Sequence, residues 1–440
     1  MKSIVAACML ICIPLSFIYS QENILSESLL NKHSQYALAL CKHLHQNPEV
    51  SFKEKETARR MQKELSRIGF EVTPHFGGNN VVGVYENGEG PVVMLRTDMD
   101  ALPIKERTGL PFASTKTMKD PSGKEVPVMH ACGHDIHMSV FVGTLRTLVE
   151  MKDHWSGTLL VIAQQAEEKS GGSGLAIEEG LFRKFPVPDY AMAYHINPEL
   201  EAGKIGLSAG AVFAGVKTVE ITVYGKGSHG AYPEKSIDPV VMASRLVLDL
   251  QTIVSRELSP LEPAVVTVGS IHGGSAPNII PDQVKMELTL RYYDEHTIDK
   301  VIRAIGRISR GAALTAGMPE GELPEVWVDP NPTPPVINDE AMTGKIRNYL
   351  THSLGKDHIV QKDPAMVGED FGKYGLTPED VPICLMWLGS TNPQRMQKLQ
   401  SEGKQPAPLH SPNLLPDYDK TIRTGIKGMV VNVLGLCRQE

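Results

Sequence analysis

Apolar residues recur at helical spacing in several stretches of the chain, and these stretches are separated by short runs that are apolar throughout. The helical pattern covers residues 25–47 and 54–68 and ends at Pro48 and Gly69. The short runs have the length of buried strands and are VVGVY (81–85), VVMLRT (92–97), LLVIAQ (159–164) and YAMAY (190–194). Buried strands that alternate with helices predict an α/β fold with a mostly parallel sheet.

Near Gly210 the pattern changes to strands in which apolar and polar positions alternate. The alternating segments are residues 217–225, 264–274 and 282–294, with helical patterns at 239–256 and 295–314. This β-α-β-β-α order is that of a small, ferredoxin-like α+β domain. The proline-rich residues 328–336 fit a linker that returns to the first domain. We therefore predict a catalytic domain in two parts, residues 21–211 and 329–440, and an inserted lid and dimerisation domain at 212–328.

Residues 1–20 differ from the rest of the chain. Lys2 precedes an almost wholly apolar run from Ile4 to Ile18, which has the length and layout of a secretory signal peptide. No later apolar run reaches the roughly 18 residues of a membrane span. These patterns predict a secreted or periplasmic protein that does not interact with a membrane.

Composition narrows the class of protein. Hydrophobic residues make up 41% and charged residues 22% of the sequence, and the net charge is −7 with scattered lysines and arginines. A main partner that is a nucleic acid is not expected, because phosphate binding needs a basic surface. Beyond residue 20 the cysteines are Cys41, Cys132, Cys384 and Cys437, too few for a disulfide framework. Apart from Cys132, they could be buried thiols, or one bridge and a free thiol.

The densest chemical motif is MHACGHDIHM at residues 129–138, just ahead of the helical pattern at 138–151. It holds His130, Cys132, His134, Asp135 and His137. Thiolate and imidazole are the ligands that zinc and similar metals prefer, so the motif predicts a metal site. The alternative is a helix start at which Asp135 is a cap and the histidines are incidental.

Further candidate ligands come directly after predicted strands. Asp98 and Asp100 follow one strand, Glu167 and Glu168 follow the next, and His195 follows a third. Sites in open α/β sheets form beyond the carboxyl ends of the strands. Taken singly, a glutamate pair can be ordinary surface and a histidine can belong to the core, but the shared position favours one common site.

Eight motifs in order along the chain resemble the metal-dependent amidohydrolase family. They are RTDMDALP (96–103), MHACGHD (129–135), QQAEE (164–168), the His195 position, GKGSHGAYP (225–233), APNIIPD (276–282), VGEDF (367–371) and PLHSPN (408–413). That family includes hippurate hydrolases, N-acyl-amino-acid hydrolases and auxin-conjugate hydrolases, and is related to carboxypeptidase G and aminoacylase metallopeptidases. The resemblance spans nearly the whole chain after residue 20.

The resemblance implies a two-metal centre and assigns a role to each matching position. Two divalent ions, zinc, manganese or similar, would be held by Cys132, His134, Glu168, His195 and His410. Glu167 would be the general base, and Asp100 would support the ligands. His229 would reach the site of a partner subunit, while Asn278 and Arg291 would bind the carboxylate of the substrate. Gln165, where the family commonly has proline, and Gly372 depart from the family pattern.

The implied function is hydrolysis of the amide bond of N-acyl or N-aminoacyl amino acids by a homodimer, with metal-bound hydroxide as the nucleophile. A metal lowers the pKa of bound water to about 7, which makes such a nucleophile available. A dipeptidase or carboxypeptidase on the same scaffold is an alternative. Two rivals belong to other classes: a thiol hydrolase that uses Cys132, and a binding protein without activity. Inactivation by chelation or by alkylation would distinguish the metal mechanism from the thiol mechanism.

Overall fold

The computed structural model describes residues 25–120 and 123–437. The α-helices of this part are α1 (Glu27–Gln46), α2 (Lys55–Ile68), α3 (His134–Glu150), α4 (Gly172–Glu178), α5 (Leu181–Lys184), α6 (Pro239–Thr252), α7 (Glu295–Thr315), α8 (Glu340–Leu354), α9 (Pro393–Ser401) and α10 (Tyr418–Leu436). The strands are β1 (Glu71–Phe76), β2 (Asn80–Asn87), β3 (Val92–Asp98), β4 (Thr117–Lys119), β5 (Glu125–Pro127), β6 (Gly157–Gln164), β7 (Tyr190–Glu201), β8 (Ile205–Gly206), β9 (Gly210–Phe213), β10 (Gly215–Tyr224), β11 (Ser228–His229), β12 (Ala264–Gly273), β13 (Ile279–Ile280), β14 (Gln283–Tyr292), β15 (Glu325–Val328), β16 (Val336–Asn338), β17 (Ile359–Val360) and β18 (Ile383–Thr391).

The larger sheet has eight strands in the order β1-β2-β6-β3-β7-β18-β8-β17. Its centre is parallel, since β3 pairs in parallel with both β6 and β7, and β18 pairs in parallel with β7. The pairings of β2 with β1 and β6, and of β8 with β18, are antiparallel. The predicted α/β fold with a mostly parallel sheet is confirmed. Its central strands are apolar and buried on both faces because helices cover each side.

The smaller sheet has four strands in the antiparallel order β12-β14-β10-β15. One face carries Val219, Ile221, Leu288 and Leu290, which pack with α6 and α7 into a core of their own. The alternation that the sequence showed in these strands therefore places every second side chain on the opposite face. That second face, which includes Arg291, borders the cleft described below.

The division of the chain at residues 211 and 329 remains a prediction. The larger sheet takes its strands from residues 71–206 and 359–391, and the smaller sheet takes its strands from residues 215–328. The proposed signal peptide, residues 1–20, lies outside the described residues. Among the residues that are described, no helix is both long enough and apolar enough to cross a membrane.

Helix α10 packs closely on the central strands and on α3 through a glycine. A methyl group on Gly425 of α10 would lie 2.8 Å from Leu388 of β18 and 2.8 Å from Val140 of α3. The absent side chain therefore allows α10 to approach the sheet and α3, the helix that begins with His134. A methyl group on Gly306 of α7, by contrast, would have no neighbouring atom within 4 Å.

We expect Gly425→Ala to destabilise the protein by about 1–3 kcal/mol through overpacking, seen as a lower melting temperature. Gly306→Ala is the matched control. In a helix interior alanine is more favourable than glycine by up to about 1 kcal/mol, and the added methyl group contacts no neighbouring residue here. Thermal denaturation of both variants and the wild type measures the difference. Equal melting temperatures for the two variants would contradict this account of the packing.

Candidate metal centre

A sharp turn presents Cys132 and His134 to one point. Gly133 between them has φ 79°, a left-handed conformation, and a Cβ at this position would lie 2.3 Å from Ile196 Cδ1. Only glycine fits here, for both reasons. Helix α3 begins at His134, earlier than the helical pattern from 138 indicated, so the metal motif forms the turn and the first turn of the helix.

The five predicted metal ligands come together although they are far apart in the sequence. The Cys132 Sγ atom lies 3.4 Å from His195 Nε2, and His410 Nε2 lies 3.3 Å from Glu168 Oε1. His134 Nε2 is 4.0 Å from the same Glu168 oxygen. Two groups of donor atoms, each within 4.8 Å of one another, share the cysteine: Cys132, His134 and His195, and Cys132, Glu168 and His410.

In His134 and His195, the ring nitrogen that points away from the cluster makes a hydrogen bond, which leaves the other ring nitrogen available. His134 Nδ1 donates to the carbonyl oxygen of Asp100 at 2.8 Å, and His195 Nδ1 donates to that of Ile196 at 2.9 Å. In the neutral tautomer that these hydrogen bonds select, the lone pair of each ring is on Nε2, which points into the cluster. Within the described residues, His134 Nε2 and Glu168 Oε1 are buried atoms without any hydrogen-bond partner. Orphaned buried acceptors of this kind fit a bound cation.

The cluster contains more negative charge than protein cations neutralise. Burial lowers the pKa of His134, but Asp98, Asp100 and Glu168 outweigh it and raise that pKa to about 10. Burial, followed by the charges of Glu168 and Glu167, raises the pKa of the Cys132 thiol well above its usual value. A thiolate at this position therefore needs a metal ion beside it. The same shift disfavours the thiol-hydrolase alternative, which requires a lowered thiol pKa.

His137 is held by two hydrogen bonds and is not available as a ligand. Its Nε2 accepts from the backbone N–H of Ile196 at 2.9 Å, so Nδ1 carries the proton and donates to Asp98 Oδ1 at 2.7 Å. The histidine therefore ties the start of α3 to β3 and β7. The motif alone did not distinguish His137 from the predicted ligand His134, because both are histidines in the same short segment.

A buried arginine organises the acidic groups behind the cluster, and sequence reasoning missed its role. Arg96 has no exposed side-chain surface and pairs with Asp98 at 2.7 Å, Glu369 at 2.9 Å and Asp370 at 3.0 Å. Glu369 also accepts from the N–H of Phe371 at 2.9 Å and so caps the short helical segment that begins at Asp370. The sequence did contain a signal for these ion pairs. One motif, RTDMD, places an arginine and an aspartate at the end of an apolar segment, and a second motif, GEDF, supplies two more carboxylates.

Glu167 lies among these carboxylates. Its ligand-forming oxygen is within 4.8 Å of those of Glu369 and Asp370, and Glu167 Oε2 lies 4.0 Å from His134 Nε2. Burial and then the charges of Glu369 and Glu168 raise the pKa of Glu167 well above that of an ordinary glutamate. The side chain is therefore a carboxyl group that takes up a proton easily.

A cleft of about 680 Å³ joins this cluster to the smaller sheet. Its lining includes Cys132, Glu167, Glu168, His195 and His410 from one side and Arg291 from the other. Burial alone lowers the pKa of Arg291, and no described residue forms an ion pair or hydrogen bond with its guanidinium. An unpaired, half-buried cation in a cleft is a binding group for an anion.

His229 and Asn278 lie apart from the cleft in the single chain. They are neighbours on the short ribbon formed by β11 and β13, where Gly230 N–H donates to Asn278 O at 2.8 Å. Both residues are exposed, and neither lines the cleft. Their predicted roles, like those of the other site residues, remain predictions.

The predicted position of His195 after a strand is wrong in detail. Strand β7 continues from Tyr190 to Glu201, so His195 lies inside it and pairs with Trp387 of β18. The strand is longer than its apolar run because β18 supplies hydrogen-bond partners beyond Tyr194. A central strand therefore holds the imidazole more rigidly than a loop would.

A family model described as Peptidase family M20/M25/M40 matches residues 94–403. The chain belongs to this family. It is 36% identical over 358 residues to N-acetyl-L-cysteine deacetylase of Bacillus subtilis, with 80% of each chain covered. It is 34% identical over 405 residues to N-acetyldiaminopimelate deacetylase of Lactobacillus helveticus, with 90% of this chain and 97% of the relative covered.

A solved structure from Bacillus subtilis, described as a dinuclear metal binding peptidase of the M20 family, is also similar. The TM-score is 0.75 at 26% identity, with 92% of this chain and 99% of the other covered. The predicted membership of the metal-dependent amidohydrolase family is thus confirmed, and the protein is a metal-dependent amide hydrolase.

The prediction of a secreted or periplasmic location is wrong. It depended on the apolar composition of a short segment, residues 4–18, which lies outside the described residues. The deacetylases that match 80% and 90% of the chain give secretion no support. A short apolar run after one lysine is therefore not a sufficient criterion for a secretory signal here.

The three remaining cysteines are free thiols, which was one of the two alternatives that the sequence left open. Cys41, Cys384 and Cys437 are buried thiols, and no disulfide joins the described cysteines.

Under the metal motif, Asp135 forms a buried ion pair and does not cap its helix. His45 Nδ1 lies 2.8 Å from Asp135 Oδ2, and His45 Nε2 lies 3.1 Å from Glu106 Oε1. Burial would lower the pKa of His45, but hydrogen bonds to the two carboxylates raise it to about 10. His45 is therefore an imidazolium that joins α1, α3 and the segment around Glu106.

We expect His45→Gln to destabilise the protein by about 3–5 kcal/mol near pH 6, because it leaves buried carboxylates without their cation. The pKa of His45 rises from 6.5 to about 10 on folding, so its contribution is complete below pH 6.5 and is lost as the pH approaches 10. The difference in melting temperature between wild type and variant should narrow over this range. His43→Gln, at an exposed site on the same helix, is the control. A difference that stays constant from pH 6 to pH 10 would contradict a charged His45.

Proposed function

We propose that the protein hydrolyses the amide bond of N-acyl amino acids with the help of two divalent metal ions. One observation carries the proposal: Glu168 with its orphaned buried oxygen, Glu167 with its raised pKa and Arg291 with its unpaired guanidinium line the same cleft. The names of the two curated relatives, both deacetylases of N-acetylated amino acids, support this substrate class.

Cys132, His134, Glu168, His195 and His410 would hold the ions, which we take to be zinc, manganese or a similar metal. Their mixture of thiolate, imidazole and carboxylate suits these borderline metals better than magnesium or calcium. The dinuclear description of the similar solved structure supports a pair of ions. When bound, the ions supply Lewis-acid chemistry, in that they polarise the amide carbonyl and make a water molecule more acidic.

Glu167 is the proton carrier in this proposal. The neighbouring Glu168 points to His410 and His134, whereas Glu167 lies toward Glu369 and Asp370. Glu167 takes a proton from the attacking water and delivers it to the leaving nitrogen. Burial among other carboxylates raises its pKa above that of an ordinary glutamate, so Glu167 holds a proton more readily between the two transfers.

Arg291 would bind the carboxylate of the amino acid. Arg291 lines the same cleft as Glu167 and four of the proposed metal ligands, so a substrate whose carboxylate is held there would have its amide bond within this cleft. The remaining wall includes Phe213, Met366 and Leu409, which offer apolar surface to an acyl group. The cavity volume of about 680 Å³ is within the usual range for small-molecule sites.

We further propose a homodimer in which the ribbon carrying His229 and Asn278 reaches the cleft of the partner. The exposure of both side chains and their absence from the cleft of their own chain support this arrangement. In that position, His229 would donate to the carbonyl oxygen as negative charge develops on it. Asn278 would assist Arg291 at the substrate carboxylate.

We expect the purified protein to release free amino acid from N-acetyl and N-benzoyl amino acids. A chelator should abolish turnover, and Zn²⁺ or Mn²⁺ should restore it. The matched control substrate carries a primary amide in place of the carboxylate. It should have a KM raised about 10–100-fold, because the contact to Arg291 loses its charge. Turnover that survives chelation would refute the proposal.

We expect Glu167→Gln to retain its metal content but to lose about 10²–10⁴-fold in kcat, since the amide cannot carry the proton. Metal analysis by mass spectrometry and steady-state kinetics measure the two effects. Glu178→Gln, at an exposed position of α4, is the control and should behave as wild type. A Glu167→Gln enzyme with an unchanged rate would show that another group is the base.

A further inference from the structure

The loop that carries Glu167 and Glu168 begins in a conformation that alanine rarely adopts. Ala166 has φ 50° and ψ 43°, in the left-handed region, and is fully buried. Such a conformation brings Cβ close to the following carbonyl oxygen, so it persists only where the surroundings hold it. The structure must therefore contain groups that keep Ala166 in place.

Side chains from three separate segments accept hydrogen bonds from four consecutive backbone amides of this loop. The pairs are Gln165 with Asn80 at 2.8 Å, Ala166 with Glu54 at 2.7 Å, Glu167 with Asp100 at 3.1 Å and Glu168 with Asp100 at 3.0 Å. Because these amides precede or belong to the two glutamates, the acceptors determine where each carboxylate points. The bond to Glu54 is the shortest of the four and acts on the strained residue itself.

Glu54 is free for this contact because another residue caps its helix. It occupies the N-cap position of α2, yet its side chain makes no capping hydrogen bond. Glu49 accepts from Thr57 N at 2.8 Å and from Thr57 Oγ1 at 2.9 Å instead. Glu54, which has no exposed surface, turns away from α2 and accepts from Ala166 with one oxygen and from Asn79 Nδ2 at 3.4 Å with the other.

We propose that Glu54 is a positioning residue for amide hydrolysis: by holding the Ala166 N–H it maintains the left-handed turn that directs Glu168 to the metal ions and Glu167 to the reacting water. The inference rests on the function proposed above. Glu54 itself lines neither the cleft nor a group of metal-binding atoms among the described residues, so it acts only through the loop.

Two substitutions separate the reach of the Glu54 side chain from its charge. Glu54→Asp keeps the charge but withdraws the acceptor by one methylene, so the hydrogen bond to Ala166 is lost. Glu54→Gln loses the charge but keeps an oxygen at the same distance. We expect E54D to lower kcat and the Zn²⁺ affinity of the metal-free protein by about 10–100-fold with little change in KM, and E54Q to stay close to wild type.

Ala166→Gly supplies the rescue. Glycine adopts a positive φ without steric cost, so the double variant E54D/A166G should keep the turn without the hydrogen bond and recover most of the Zn²⁺ affinity and kcat. Glu49→Asp is the matched control, since it shortens the other buried carboxylate and loosens α2 without reaching Ala166. E49D should lower the melting temperature of the metal-free protein but leave Zn²⁺ affinity and kcat unchanged.

Calorimetric titration of the metal-free variants with Zn²⁺ and steady-state kinetics provide the two readouts. The proposal is supported if E54Q and the double variant stay close to the wild type in Zn²⁺ affinity and kcat while E54D lies far below all three. It is overturned if E54Q is as impaired as E54D, if E49D matches E54D, or if E54D behaves as wild type. The titration needs no substrate, so it decides the role of Glu54 even if N-acyl amino acids prove not to be substrates.

Discussion

A buried excess of carboxylate beside a thiol and several imidazoles is the constraint on which the rest of this structure depends. Isolated charges are too costly to bury, so each must be paired or must bind a cation. Arg96 pairs with Asp98, Glu369 and Asp370, and His45 pairs with Asp135 and Glu106. Glu168 and His134 each retain a buried atom that has no hydrogen-bond partner among the described residues. The protein cations therefore neutralise the outer part of the cluster, and its centre is the place where metal ions fit.

The fold explains how such a cluster is assembled. The parallel strands β3 and β6 end side by side, with Asp98 opposite Gln164, and each continues into a loop that carries proposed ligands or residues that support them. Three of the six non-glycine residues that have a positive φ in the described part of the chain, Ala166, Ser170 and His410, lie in the same region. Strain of this kind is tolerated where many contacts determine the conformation, and here the backbone hydrogen bonds that Glu54 and Asp100 accept are such contacts.

The sequence predicted the layers of the fold and the residues of the cluster better than the contacts that organise them. Cys132 and His134 could be recognised because their types, spacing and turn glycine are local features. The tautomer that excludes His137 as a ligand depends on the N–H of Ile196, 59 residues away. The pairs Ala166 with Glu54 and Arg96 with Glu369 are separated by 112 and 273 residues. Such contacts follow from strand order and loop geometry, which periodicity does not reveal. The location predicted from residues 1–20 was wrong because it depended on composition alone.

The central claim is that five residues distant in sequence hold a pair of metal ions with Glu167 beside them. Anomalous diffraction from a crystal of the protein reconstituted with Zn²⁺ tests it most directly. The account predicts two peaks per chain about 3.5–4 Å apart, bounded by Cys132, His134, Glu168, His195 and His410. Peaks elsewhere, or a single ion that leaves Cys132 and Glu168 without contact, would contradict it.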